Sequence, residues 1–266
     1  MLDTVVITRP LAQAGPLAAR IEASGRKVVV LPLLEIHPLQ DSAPLRAALA
    51  DLSAYTMVAF VSPNAIDAAF AHIAQWPAAV RLAVLGEGSR VALARHGVTP
   101  ANATIVSPPD PAHSDSEHLL QAFDLGSVRG RRVLIVRGES GRELIADGLR
   151  AAGAKVSVVA AYRRAVPLLT PELSAPLRSW RAKSCDWVIT SSEALRGLME
   201  LLGQMGHEDG EGGAGAPASV VVNMQQQHLI VPHARIAQSA KGLGFTRLTL
   251  TGSGDERVFA ALQSRP

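Results

Sequence analysis

Two stretches of the chain repeat one hydrophobic-polar phrase. In the first, Val5-Val6-Ile7 runs into Thr8-Arg9-Pro10, then a helical pattern to Gly25, then Lys27-Val28-Val29-Val30-Leu31-Pro32. In the second, Val133-Leu134-Ile135-Val136 runs into Arg137-Gly138, then a helical pattern to Gly153, then Lys155-Val156-Ser157-Val158-Val159. Each phrase is an apolar run, an arginine turn, a helix, a glycine stop and a second apolar run. Two copies of one strand-helix-strand domain are therefore expected, with function lying between the copies.

Short apolar runs predict strands at 4–8, 27–34, 57–62, 81–85, 103–106, 132–136, 155–161, 186–190, 228–231 and 247–251. Between most of them lie amphipathic stretches with helical spacing, as at Ile66, Ala69, Phe70 and Ile73. Strands alternating with such helices give parallel sheets with right-handed crossovers. The repeat extends further, since Val61-Ser62-Pro63-Asn64-Ala65 matches Thr190-Ser191-Ser192-Glu193-Ala194. Likewise Leu85-Gly86-Glu87-Gly88-Ser89-Arg90 matches Val231-Pro232-His233-Ala234-Arg235. The arginine-turn unit comes last in the middle copy and first in the other. The simplest topology inserts one domain in the other. The fold expected is α/β: two similar doubly wound parallel-sheet domains joined by a two-strand hinge. Residues 1–37 with 166–266 form the first, and 38–165 the inserted second. Pro-bearing crossings near 35–40 and 162–168 can lie side by side as the hinge. Segments 107–111 and 206–217, rich in Pro and Gly, read as loops, the former leading into a helix capped near Ser114 or Ser116.

Composition narrows the class. With 48% hydrophobic but only 4% aromatic residues, the core of this 266-residue chain is built from Ala, Val, Leu and Ile, which suits packed α/β layers. A net charge of +3 without a Lys/Arg block makes a nucleic-acid partner unexpected. The one cysteine, Cys185, excludes an internal disulfide and reads as a half-buried structural thiol. No run approaches the ~20 apolar residues of a membrane span, and no leader pattern precedes the first strand. A cytoplasmic monomer that touches no membrane is expected.

Open parallel sheets bind ligands at the carboxyl ends of their strands, where helix N-termini present free N–H groups. Those positions carry Arg9, Ser62, Asn64, Gly86, Ser89, Arg137, Gly138, Thr190, Ser191, His233 and Arg235. Hydroxyls, glycines and cations recur there, which suits an anionic small molecule. Each Ser or Thr alone reads as an ordinary N-cap worth ~1 kcal/mol. Tyr162 ends the run 155–161 at the inferred crossing. A phenol keeps its proton at neutral pH (reference pKa ~10), so it can protonate a departing hydroxyl. Read from the residues alone, a hinge tyrosine that packs its ring and bonds a backbone carbonyl is the preferred reading. The run Gly86-Glu87-Gly88 gives only part of a dinucleotide fingerprint, and no metal-ligand spacing or nucleophile elbow appears. No cofactor and no metal are expected.

Together these residues resemble the uroporphyrinogen-III synthase family. The pieces are Val6-Ile7-Thr8-Arg9-Pro10, Phe60-Val61-Ser62-Pro63-Asn64-Ala65, Val84-Leu85-Gly86 with Ser89, Val136-Arg137-Gly138-Glu139, Tyr162-Arg163, Thr190-Ser191-Ser192 and a closing helix from Ala237 to Gly244. The resemblance implies two lobes joined by a two-strand ladder and a cofactor-free lyase acting on hydroxymethylbilane, a linear tetrapyrrole with eight carboxylates. Water is lost, the last ring inverts through a spiro intermediate, and uroporphyrinogen III forms. The family tyrosine maps to Tyr162, the hydroxyl after the glycine turn to Ser89, and the loop serines to Ser62 and Ser191. Where many relatives carry Ile-Gly-Pro-x-Thr-Ala, this chain has Ile230-Val231-Pro232-His233-Ala234-Arg235, with His233 and Arg235 as cationic donors instead. The alternatives are a non-catalytic two-lobed receptor for a small polyanion and a nucleotide-dependent transferase. The missing leader argues against the first and the incomplete glycine fingerprint against the second.

Overall fold

The computed structural model describes residues 4–110, 113–181, 183–208 and 216–264. Contacts divide the chain into two compact units, Met1–Glu35 with Ala165–Pro266, and Ile36–Arg164. Each is a mainly parallel sheet between helical layers.

The discontinuous unit holds β1 (Thr4–Ile7), β2 (Lys27–Val30), β9 (Asp186–Val188), β10 (His228–Val231) and β11 (Arg247–Leu250). Their order across the sheet is β2-β1-β9-β10-β11, and every neighbouring pair is parallel. The strands are short and apolar because both faces are covered. One face packs Val5, Ile7, Val188 and Ile230 against α1 (Leu11–Ala23) and α11 (Asp255–Gln263). The other packs Val6, Trp187, Leu229 and Val231 against Leu195, Leu198 and Leu202 of α8 (Ser192–Glu208) and Ile236 of α10 (Ala234–Gly242).

The continuous unit holds β3 (Glu35–His37), β4 (Met57–Phe60), β5 (Arg81–Val84), β6 (Ile105–Val106), β7 (Arg132–Gly138) and β8 (Lys155–Ala165) in the order β3-β8-β7-β4-β5-β6. One face carries α2 (Ala43–Ala50), α3 (Pro63–Phe70) and α4 (Glu87–Arg95), with Leu45, Ile66 and Leu93 in its core. The opposite face carries α5 (Ser116–Gln121) and α6 (Leu144–Ala151), with Leu119, Ile145 and Leu149.

Apart from β3, the two strand orders are the same: β2-β1-β9-β10-β11 and β8-β7-β4-β5-β6. This is the repeat read from the sequence, with the arginine-turn pair at one side of each sheet. Its glycine stops have a shared backbone cause. Gly25 and Gly153 follow the C-caps of α1 and α6 at φ +86° and +87°, a left-handed conformation that costs a Cβ-bearing residue energy.

All ten predicted strands are present, most ending one to four residues earlier than expected. β8 runs longer, through Ala165, and pairs with β3, so the two crossing segments are neighbours in one sheet. Three helix expectations need correction. The cap of α5 is Asp115, not Ser114 or Ser116; its carboxylate accepts the His118 N–H. The closing helix begins at Ala234 rather than Ala237 because His233, in extended conformation, already serves as its N-cap. Of the expected loop 206–217, residues up to Glu208 extend α8 and residues from Ala216 begin α9 (Ala216–Gln225); the intervening 209–215 lie outside the described residues. Cys185 is fully rather than half buried, at 1% exposure, and burial pushes its thiol pKa up, as a structural role requires.

Candidate functional site

In a doubly wound sheet, the crevice lies where helices from adjacent strands leave toward opposite faces. In the continuous unit that point is between β7 and β4, whose following helices lie on different faces. Gly138 ends β7, and Ser62 follows β4 as the N-cap of α3. The Ser62 Oγ accepts the Ala65 N–H at 3.1 Å. It also lies 3.1 Å from the Tyr162 hydroxyl.

Tyr162 reaches this place through a bulge. Along β8, Val156 and Val158 pack on the α5–α6 face, while Val159 and Ala161 pack on the α2–α4 face. Strict alternation would send Tyr162 to the α5–α6 face. Instead Arg137 registers with Ala160 and Gly138 with Tyr162, so Ala161 is an extra residue in β8. The bulge turns Tyr162 onto the same face as Ala161, re-aiming the side chain at Ser62. Its ring then lies against Gly138, where a Cβ would sit 3.1 Å from Cζ and 3.3 Å from the hydroxyl oxygen. Tyr162 is only 5% exposed. The segment after β7 is tied down around it. Arg137 donates to Glu143 and to the Arg142 carbonyl, Arg142 pairs with Glu117, and Arg164 donates to Ser140. The hydrogen bond from Arg142 holds the Glu117 carboxyl below the usual carboxylate range.

The same switch point in the discontinuous unit lies between β1 and β9. There Thr8 donates its hydroxyl hydrogen to the Val188 carbonyl, and Ser191 Oγ accepts the Glu193 N–H at 3.2 Å. Thr190 precedes it, half-buried. Arg9 follows Thr8 and pairs with Asp255 at the head of α11. His233 caps α10, and Arg235 is exposed in its first turn.

The structure therefore brings Tyr162, Ser62 and Gly138 together, with Asn64 in the first turn of α3. Thr190 and Ser191 occupy the equivalent place in the other unit. Gly86 and Ser89 stand apart, one strand further along at the head of α4. Gly86 is required by space, since its Cβ would fall 2.2 Å from the Ser114 hydroxyl oxygen. Ser89 is 3% exposed, which makes it a packing residue in this conformation. Arg9 and Arg137 already hold carboxylates, leaving part of their five N–H donors for a ligand. Residue patterns missed His37 and His72, which line a cavity beside Tyr162; the small residues Ala68, on α3, and Ala71, its C-cap, were the available signal. Among the described residues, no cluster of His, Cys, Asp or Glu is placed to hold a metal, and no helix is long and apolar enough to cross a membrane.

Comparison with known proteins agrees with this architecture. The family model described as uroporphyrinogen-III synthase HemD matches residues 15–248. The uroporphyrinogen-III synthase of Salmonella typhimurium is 30% identical over 98% of this chain and 100% of its own length. That of Escherichia coli is 29% identical over the same shares. Among solved structures, uroporphyrinogen-III synthetase from Helicobacter pylori matches 100% of both chains with a TM-score of 0.58 at 14% identity. A mutant uroporphyrinogen III synthase from Thermus thermophilus covers 98% of this chain, and 97% of its own is matched, with a TM-score of 0.56 at 14% identity. At such identities the structural likeness speaks for the fold, while the family model and the sequence relatives speak for descent. The chain belongs to the uroporphyrinogen-III synthase family.

Proposed function

We propose that this chain converts hydroxymethylbilane to uroporphyrinogen III, with Tyr162 as the acid that releases water. The observation carrying the assignment of the acid is the hydroxyl pair formed by buried Tyr162 and half-buried Ser62 at the switch point of the continuous unit, 3.1 Å apart. The Tyr162 proton passes to the departing hydroxyl as the carbon–oxygen bond breaks, giving water and a cationic ring stabilised by its pyrrole nitrogen. The methylene carbon of that cation bonds to the already substituted α-carbon of the last ring, giving the spiro intermediate. The bond from that carbon to its original bridge then breaks, the freed bridge carbon closes on the unsubstituted α-carbon of the same ring and so inverts it, and the proton lost from that carbon restores the phenol. Ser62 holds the phenol in line by sharing its hydroxyl, which also caps α3.

The remaining contribution is control of geometry. The cationic intermediate closes without inversion if its arms are free. Several modest donors that fix the carboxylates favour the spiro route without one dominant group. Ser62, Asn64, Arg137 and Gly138 in one unit and Arg9, Thr190, Ser191, His233 and Arg235 in the other are proposed for this; Gly86 and Ser89 contribute through the shape of the α4 head. Product analysis tests the assignment. Incubation with hydroxymethylbilane followed by chromatography of the oxidised porphyrins should give isomer III well above the spontaneous isomer I. Isomer I alone would reject it and favour a polyanion-binding protein.

A further inference from the structure

A cavity of about 460 Å³ lies within the continuous unit, between the 36–42 segment, α3 and the end of β8. Its apolar wall is formed by Ile36, Leu45, Ala68 and Ala161. Tyr162 belongs to the same wall, so a guest in the cavity lies against the proposed acid. His37, Ser42 and His72 line it on the polar side. An imidazole offers an N–H donor in either protonation state. The carboxylate in the lining, Asp67, is held by Arg95 and His96, so its charge is met at the end of α4 and not left to repel an anion.

These features select a ligand chemistry. A flat, weakly polar ring suits a wall of alanine, leucine and isoleucine, and anionic arms suit imidazole and hydroxyl donors. The volume falls in the lower part of the ~300–1,000 Å³ range of small-molecule sites, room for one substituted ring and not a four-ring chain. Resting on the synthase reading above, we infer that this cavity seats the terminal, hydroxymethyl-bearing pyrrole, with its carboxylate arms at His37 and His72. The ring that must lose water is thereby the ring touching Tyr162. The cavity is a positioning site: His37 and His72 hold the ring and do not touch the breaking bond.

Two measurements decide it, one of them independent of turnover. A monopyrrole bearing an acetate and a propionate arm is titrated into the labelled full-length protein and followed by amide chemical shifts. Shifts clustered at 36–42, 64–72 and 161–162 are expected, and their loss in Ala68→Leu, which fills the cavity; shifts elsewhere, or none, overturn the inference. In steady-state assays, Ala68→Leu and the exposed His72→Ala should each raise the KM for hydroxymethylbilane, Ala68→Leu by about tenfold or more, with melting temperatures close to wild type. If Ala68→Leu does not fold, His72→Ala carries the kinetic arm. A variant that folds and keeps the wild-type KM overturns the inference even if isomer III is made. Absence of isomer III from the wild-type protein, by contrast, strikes the synthase reading, while the titration still reports whether a carboxylated pyrrole occupies the cavity.

Discussion

At the scale of single residues, the site depends on how the Tyr162 ring is held. Gly138 gives the ring its place, and a methyl there must displace it, since the added carbon would stand 3.1 Å from Cζ. Gly138→Ala should therefore lower kcat several-fold with little change in KM, measured by initial rates at saturating substrate. Ser62→Ala and Ser191→Ala should each leave partial activity and lower stability by about 1 kcal/mol, because both hydroxyls cap helices; denaturant titration checks the second part. Tyr162 was legible as a candidate because it is one of only two tyrosines and ends an apolar run. Its orientation was not, because residue alternation carries no sign of the extra Ala161 that turns it. Arg9 and Arg137 read as anion donors from their place at strand ends. Their carboxylate partners were hidden for different reasons: Asp255 is remote in sequence from Arg9, and Glu143 looks like an ordinary loop acid beside Arg137.

At the scale of elements, the discontinuous sheet is fixed at the end away from its switch point, and the continuous one beside its switch point. In the discontinuous unit, Asp186 begins β9 and accepts from Arg26 at 2.6 Å, while His228, at the start of β10, stands 2.6 Å from its other oxygen. Thr249 of β11 bonds the far side of the same imidazole. All three ionisable groups are buried, so truncating the shared partner leaves a buried cation without its counter-charge. Asp186→Ala should cost about 3–5 kcal/mol in chemical denaturation while leaving the residual folded fraction active. In the continuous unit, the segment after β7 is pinned through Arg142 and Glu117. The Glu117 carboxyl titrates below its unfolded value, so this link is present above the ordinary glutamate pKa of ~4.3 and is lost only as pH falls through the lower folded value. Both groups are partly exposed, which keeps the contribution small. Amide exchange of residues 139–143 should thus stay constant from neutral pH down to about 4.3, after correction for intrinsic rates, and rise below it. In Glu117→Gln the rise should be absent and exchange faster throughout. The strands around these links were readable from short apolar runs alternating with stretches of helical spacing. The links themselves were not, since Arg26, Asp186 and His228 come together only when the chain has been folded across most of its length.

At the scale of the whole molecule, the decisive regularity is one strand order used twice, β2-β1-β9-β10-β11 and β8-β7-β4-β5-β6. This was visible in the sequence because both copies keep the arginine turn and the glycine stop, whose left-handed backbone resists replacement. The cavity beside Tyr162 was not visible, because it is made by what is missing between α3 and the 36–42 segment, and small residues there read simply as helix formers. Duplication gives each unit a switch point with a capping serine, but only one of them has the phenol. The chemical step is therefore placed, as a proposal, in the continuous unit. The most direct test is the isomer ratio and rate for Tyr162→Phe, a change that keeps the ring and deletes the proton. Its melting temperature should match wild type, its formation of uroporphyrinogen III should fall by about 100-fold, and spontaneously formed isomer I should dominate the products. Formation of isomer III at the wild-type rate by this variant would contradict the account.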